Sequence, residues 1–220
     1  EWVDYSGSVM AIDPSGRGAD ETSYAVIKML NGFLYCPDVG GVEGGYSNKT
    51  LETLVDIAKT NNVNYVLVES NFGDGMFSEL IKPYFSKEYP VTLEEVRHSK
   101  QKELRIIDTL EPVMNQHKLV IDREVIQKDY DSIQKYPNDV AQRYSLFYQL
   151  TRITKDRGAL AHDDRLDALS MAVAYWVEQM ASDADEQMRE RHSDMLDKEL
   201  DKFLGNLNTS SEKVSHNSWI

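Results

Sequence analysis

Apolar residues in this chain fall first into short runs and later into spaced stripes. Val9–Ile12 is a four-residue run ending at Asp13, and the turn formers Pro14-Ser15-Gly16-Arg17-Gly18 follow it, so a strand and a tight loop are expected. Ser23–Leu30 and Phe33–Val39 are rich in β-branched and aromatic residues and are separated by Asn31-Gly32. That dipeptide suits a hairpin turn in which both residues take positive φ. Three antiparallel strands should therefore open the fold. Gly40–Gly45 reads as a flexible connection, and Leu51, Leu54, Val55 and Ala58 then recur at helical spacing behind a cap at Ser47 or Asn48.

Tyr65–Val68 has the uninterrupted apolar character of a parallel strand buried on both faces, and it ends at Glu69. Asn71-Phe72-Gly73-Asp74-Gly75 leads from it into a helix bearing Met76, Phe77, Leu80 and Ile81. Val91–Val96 predicts a fifth strand, Lys102–Met114 a helix and Leu119–Ile121 a small extra strand. Asp122–Asp139 is polar and has no assignable period. Ser145–Ile153 should pack on the core as a helix or an extended segment, closed by Gly158. From Asp163 a long helix runs through Trp176 and toward Leu204, its later half strongly charged.

Strands and helices in this order predict an α/β fold: a mixed central sheet, antiparallel in its first three strands and parallel afterwards, flanked by helices. The expected organisation is one domain over residues 1–180, a helical extension over 181–205 and a disordered tail over 206–220. The chain opens Glu1-Trp2-Val3 without an initiator Met or a signal-peptide layout, and so reads as a piece of something longer.

Composition narrows the function classes. Cys36 is the only cysteine, so neither an internal disulfide nor a cysteine zinc cluster is expected, which suits a reducing compartment. No apolar run approaches the roughly 20 residues that span a bilayer. The net charge of −13 argues against nucleic-acid binding through overall charge, although the acid can be concentrated in the last helix or at a metal site.

Asp13 and Glu69 each end a predicted strand just before a glycine-containing loop, where open α/β sheets bind ligands. Two carboxylates buried there invite a cation. The third element is His162-Asp163-Asp164-Arg165-Leu166-Asp167-Ala168-Leu169. Leu166, Leu169 and Val173 form its apolar stripe, and Asp164 and Asp167 share a neighbouring face. Acids in a first helical turn also cap it and complement its dipole, so capping alone accounts for Asp163 and Asp164 equally well. Taken together, the three acidic elements suit two Mg²⁺ or Mn²⁺ ions and in-line phosphodiester hydrolysis, with Asp13 bridging both.

With these motifs the chain, from about Val9 to Val177, resembles the C-terminal nuclease domain of tailed-phage terminase large subunits. The resemblance implies an RNase H-like fold and metal-dependent cutting of concatemeric double-stranded viral DNA during packaging. It makes Asp13, Glu69 and Asp164 the metal ligands, with Asp163 as the one-residue alternative to Asp164 and Asp167 as the extra helix acid of resolvase relatives. His162 is expected to flank the helix, and Asp20 resembles a frequent acid of the family's first loop, which a turn-stabilising role explains as well. The resemblance further implies an N-terminal ATPase domain in the full-length protein, a small-subunit partner, a portal or procapsid partner, and work in the cytoplasm of an infected bacterium. No Gly-x-x-x-x-Gly-Lys-Ser/Thr loop occurs here, so no ATPase site is expected in this chain.

Arg97, Lys100, Lys102 and Arg105 form one basic segment, and Arg152, Lys155 and Arg157 a second; both are candidate phosphate contacts. Two other functions fit the same residues: a Holliday-junction-resolvase-like nuclease, and a non-catalytic module whose long acidic helix docks a portal or capsid protein.

Overall fold

The computed structural model describes residues 3–15, 20–70 and 75–212, excluding the side chains of residues 201–212. Strand β1 (Gly7–Asp13) pairs antiparallel with β2 (Thr22–Leu30), which pairs antiparallel with β3 (Phe33–Val42). Between β2 and β3, Asn31 has φ 52° and Gly32 φ 78°, the two-residue turn their sequence calls for. Parallel strands β4 (Tyr65–Glu69), β5 (Thr92–Val96) and β6 (Leu119–Ile121) complete one sheet in the order β5-β4-β1-β2-β3-β6. The mixed sheet agrees with the expected α/β class.

β3 continues through Gly40 and Gly41, where a flexible connection was expected. A Cβ on Gly41 would stand 1.9 Å from the Glu21 carboxyl carbon, and one on Gly40 would stand 3.0 Å from the Tyr24 hydroxyl. The glycines provide room for neighbouring side chains within a paired strand.

Helix α1 (Asn48–Thr60) starts on the Ser47 hydroxyl, which accepts the Thr50 N–H at 3.2 Å. Together with α2 (Met76–Glu88) it covers one face of the sheet. Leu51, Leu54, Val55, Phe77, Ile81 and Phe85 form one core with Met10, Ile12, Val26, Val66 and Val68. Each fully buried side chain of this kind contributes about 1.5–3 kcal/mol.

Alternate strand residues Val9, Ala11, Ala25 and Ile27 point to the opposite face and are also completely buried. That face meets the start of α6 (Asp164–Glu212), where Trp176 donates its indole N–H to the Ile27 carbonyl at 3.1 Å. Residues 1–176 form one compact unit, and the chain from Val177 is a second. α6 reaches Glu212, so it extends into the segment expected to be a tail; residues 213–220 lie outside the described residues.

Between β5 and α6 lie α3 (Lys102–Asn115), α4 (Arg123–Ile133), a 3-10 turn at Ala141–Tyr144 and α5 (Leu146–Arg152). α4 occupies the stretch without an assignable period. Asp122 caps it, and its buried positions are Val125, Asp129 and Ile133; a buried aspartate in the middle of the stripe hides the helical pattern. No described helix is long and apolar enough to cross a membrane.

Candidate active site

β1 and β4 are parallel neighbours with Ile12 opposite Val68, so the next residues, Asp13 and Glu69, emerge side by side. One turn into α6, Asp167 joins them: carboxylate oxygens of Asp13, Glu69 and Asp167 lie within 4.8 Å of one another. Asp167 is completely buried, although it is a polar residue beside an apolar stripe. Arg105 on α3 contacts two of these acids, its Nη2 lying 2.8 Å from Asp167 Oδ1 and 3.7 Å from Glu69 Oε1.

Lys102 Nζ sits among the acids of both elements. It is 2.8 Å from Asp163 Oδ1, 3.0 Å from Asp167 Oδ2, 3.6 Å from Asp13 Oδ2 and 3.9 Å from Asp164 Oδ1. Asp164 belongs to a second group, within 4.8 Å of Asp20 and His162; His162 Nδ1 lies 3.5 Å from Asp20 Oδ1. A cavity of about 220 Å³ is lined by Asp13, Asp20, Lys102 and Asp164 among others.

Electrostatics mark the cluster as strained in its metal-free form. Burial, then the charges of Glu69, Asp167 and Asp164, push the Asp13 carboxyl well above the usual range despite Lys102. Burial and Asp167 raise Glu69. Burial raises Asp164 to about 6, with Asp20 and Asp163 adding to the rise. Burial works against charge on Lys102, but Asp167, Asp13 and Asp163 outweigh it and hold the ammonium above its ordinary value.

Among the described residues, Asp13 Oδ2 is buried and makes no hydrogen bond. Lys102 Nζ at 3.6 Å offsets that oxygen's charge without hydrogen-bonding it, and the neighbouring carboxylates of Glu69 and Asp167 make an all-oxygen donor set that matches hard divalent cations such as Mg²⁺ or Mn²⁺. The residues therefore fit a metal centre.

The expected acids are thus brought together, with Asp167 in the inner trio and Asp164 in the adjoining group. Lys102 and Arg105, expected among the phosphate contacts, stand inside the acidic cluster. Arg97, Lys100, Arg152, Lys155 and Arg157 are exposed. The two basic segments adjoin, because Gln101 Nε2 donates to the Lys155 carbonyl at 3.0 Å and the Gly158 N–H to Glu103 Oε1 at 2.6 Å. Asn71 and Gly73 lie outside the described residues. Sequence reasoning missed Glu21 and Arg165, which are buried and bonded to each other behind the cluster. The available signal was an arginine set directly beside the apolar stripe of α6.

Comparison with known proteins places the chain. The model of the ribonuclease H-like domain of the bacteriophage T7 terminase matches residues 12–119. A terminase large subunit of Enterobacteria phage T3 is 50% identical over 180 residues, which is 82% of this chain and 31% of that protein. The chain thus spans about a third of the curated relative it matches. The nuclease domain of the large terminase subunit of bacterial virus Sf6 superposes with TM-score 0.55 at 15% identity, covering 78% of this chain and 90% of that one. The human cytomegalovirus terminase nuclease domain gives 0.53 at 12% identity, covering 77% and 82%. At those identities the likeness is one of fold, RNase H-like in both cases. Sequence identity to a phage large subunit and a shared fold lead to one assignment: this chain belongs to the phage terminase large-subunit family, in its RNase H-like nuclease domain.

Proposed function

We propose that this chain cuts concatemeric double-stranded viral DNA during genome packaging, as a metal-dependent endonuclease using two Mg²⁺ or Mn²⁺ ions. The observation that carries this reading is the convergence of Asp13, Glu69 and Asp167, whose carboxylate oxygens lie within 4.8 Å of one another. Asp13, Glu69, Asp167 and Asp164 would hold the ions, supported by Asp163, Asp20 or His162. When bound, the ions supply an activated water and stabilise the leaving oxygen of an in-line displacement.

The chain's own residues prepare that site. Arg105 holds Asp167 and Glu69 in place, while Lys102 occupies the middle of the acids as a resident counter-ion. Six carboxylates, Asp13, Asp20, Glu69, Asp163, Asp164 and Asp167, thus face two cations, leaving four negative charges that two divalent ions would neutralise. The exposed Arg97, Lys100, Arg152, Lys155 and Arg157 would hold DNA phosphates beside the cluster. In the full-length protein we place an ATPase domain outside this chain, with a small subunit and a portal or procapsid as partners in the infected bacterial cytoplasm.

Incubation of supercoiled plasmid with this chain should give nicked and linear products with Mn²⁺ and none with chelator. Equal cutting in both would rule out the metal mechanism. A strong preference for four-way junctions over linear duplex would instead assign it to resolvase-like chemistry.

A second expectation concerns pH. Asp13, Glu69 and Asp164 must be ionised to bind a cation, and all three are held above the usual carboxylate range, Asp164 at about 6. Mn²⁺ affinity measured by calorimetry should therefore climb as pH rises through about 6. The folded metal-free chain binds more protons than the unfolded one across this window, so its stability should fall as pH rises from the ordinary carboxylate range through about 6. Added Mn²⁺ should reverse that loss at pH values above the window. Affinity that does not change between about pH 5 and 8 would contradict the assignment of these ligands.

A further inference from the structure

Beside the acidic cluster lies a second set of charged groups, joined to it through the Glu21 N–H, which donates to Asp20 Oδ1 at 3.2 Å. Arg165 is completely buried one residue after Asp164 and two before Asp167. Its guanidinium is bidentate on Glu21, with Nε 2.5 Å from Oε1 and Nη2 2.9 Å from Oε2. Nη1 donates to Asp129 Oδ1 and to Ser132 Oγ, both at 2.8 Å. Asp129 is itself fixed by Ser145 Oγ at 2.6 Å and the Leu146 N–H at 2.9 Å. One arginine on α6 is thereby tied to the residue preceding β2, to α4 and to the cap of α5.

Two more contacts reach the same turn of α6 from residues 123–152. The Leu166 N–H, which has no carbonyl partner within its own helix end, donates to Gln149 Oε1 at 3.0 Å. Gln149 is in turn held by the Arg143 carbonyl at 3.0 Å. Tyr144 stacks on His162 with ring centroids 4.2 Å apart and on Tyr136 at 3.9 Å, and the Tyr136 hydroxyl donates to Glu21 Oε2 at 3.1 Å.

We propose that Arg165, with Glu21 and Asp129, is the positioning residue of this site, and that residues 123–152 form a collar fixing the first turn of α6 so that Asp164 and Asp167 meet Asp13. This inference rests on the metal-centre reading above. Geometry argues for it: the two acids flank Arg165 in sequence, so any rotation of that turn moves both. The guanidinium fork has only one arrangement satisfying Glu21 and Asp129 together, which a lysine's point charge cannot reproduce. Mutation of residues that orient metal ligands typically costs 10–100-fold in affinity or activity.

The test compares the parent with Arg165→Lys and Gln149→Leu by Mn²⁺ calorimetry and by plasmid cleavage with varied DNA, circular dichroism reporting the fold. Arg165→Lys should retain the far-ultraviolet spectrum, lose on the order of 10–100-fold in Mn²⁺ affinity and in kcat at saturating Mn²⁺, and keep its KM for DNA within about twofold. Gln149→Leu removes the contact to Leu166 together with its own tether to the Arg143 carbonyl and should show the same split at about tenfold, which decides the matter should Arg165→Lys fail to fold. Parent-like Mn²⁺ affinity and kcat in a folded Arg165→Lys chain, or in Gln149→Leu, would overturn the proposal. A parent that neither binds Mn²⁺ nor cuts would instead overturn the reading it rests on.

Discussion

Asp13→Asn should abolish cleavage while leaving the metal-free fold at least as stable as the parent. The side chain sits where burial and three neighbouring carboxylates disfavour its charge, so an isosteric neutral group relieves repulsion and costs little packing. Lys102 keeps Asp163 and Asp167 as partners, so the ammonium is not stranded. Under the proposed metal mechanism the catalytic loss would be large, because Asp13 would help to hold the ions. Metal stabilisation of transition-state charge is worth several kcal/mol, or on the order of 10³-fold in rate. Thermal melting in chelator and plasmid cleavage with Mn²⁺ read the two halves separately. Cutting within tenfold of the parent would remove Asp13 from the site. A variant that melts well below the parent would show that the residue holds the fold.

The largest effect on stability is expected from Arg165→Met. The substitution keeps most of the apolar volume but leaves Glu21 and Asp129, which are 1% and 3% exposed, facing each other without a cation. Breaking a buried ion pair from one side costs about 3–5 kcal/mol, which for a domain of this size lowers the melting temperature by roughly 6–20 °C. Adding Glu21→Gln and Asp129→Asn to the same chain should recover part of that loss, because the uncompensated charges disappear. A single variant that melts within about 2 °C of the parent would contradict the ion-pair account. A triple variant no better than the single would point instead to lost packing.

Much of the fold was readable because its determinants are local. The Asn31-Gly32 turn, the Ser47 cap and the apolar run of Tyr65–Val68 each state their structure within a few residues. Asp13 and Glu69 were readable for a related reason, since each is the first polar residue after a buried strand. What escaped depends on partners distant in sequence. Gly41 looks like a loop residue until Glu21 is seen in the space where its Cβ would lie. α4 hides its period because Asp129 occupies a core position and answers Arg165, 36 residues away. Lys102 and Arg105 belong to a basic segment in sequence, yet the start of α3 lays them against acids more than fifty residues further on. Of the helix acids, the sequence reading ranks Asp164 before Asp167; both share one face, and only the sheet brings Asp167 beside Asp13 and Glu69.

Lys102 has a further consequence, for handling the protein. Domains that fold around a structural ion collapse when it is stripped away, because their ligands have no other source of positive charge. Here the chain carries its own ammonium within reach of four of its acids. Dialysis against a chelator should therefore yield an intact, soluble, idle protein that regains its chemistry on adding back metal. Loss of the melting transition in chelator would show instead that the ammonium cannot stand in for a cation.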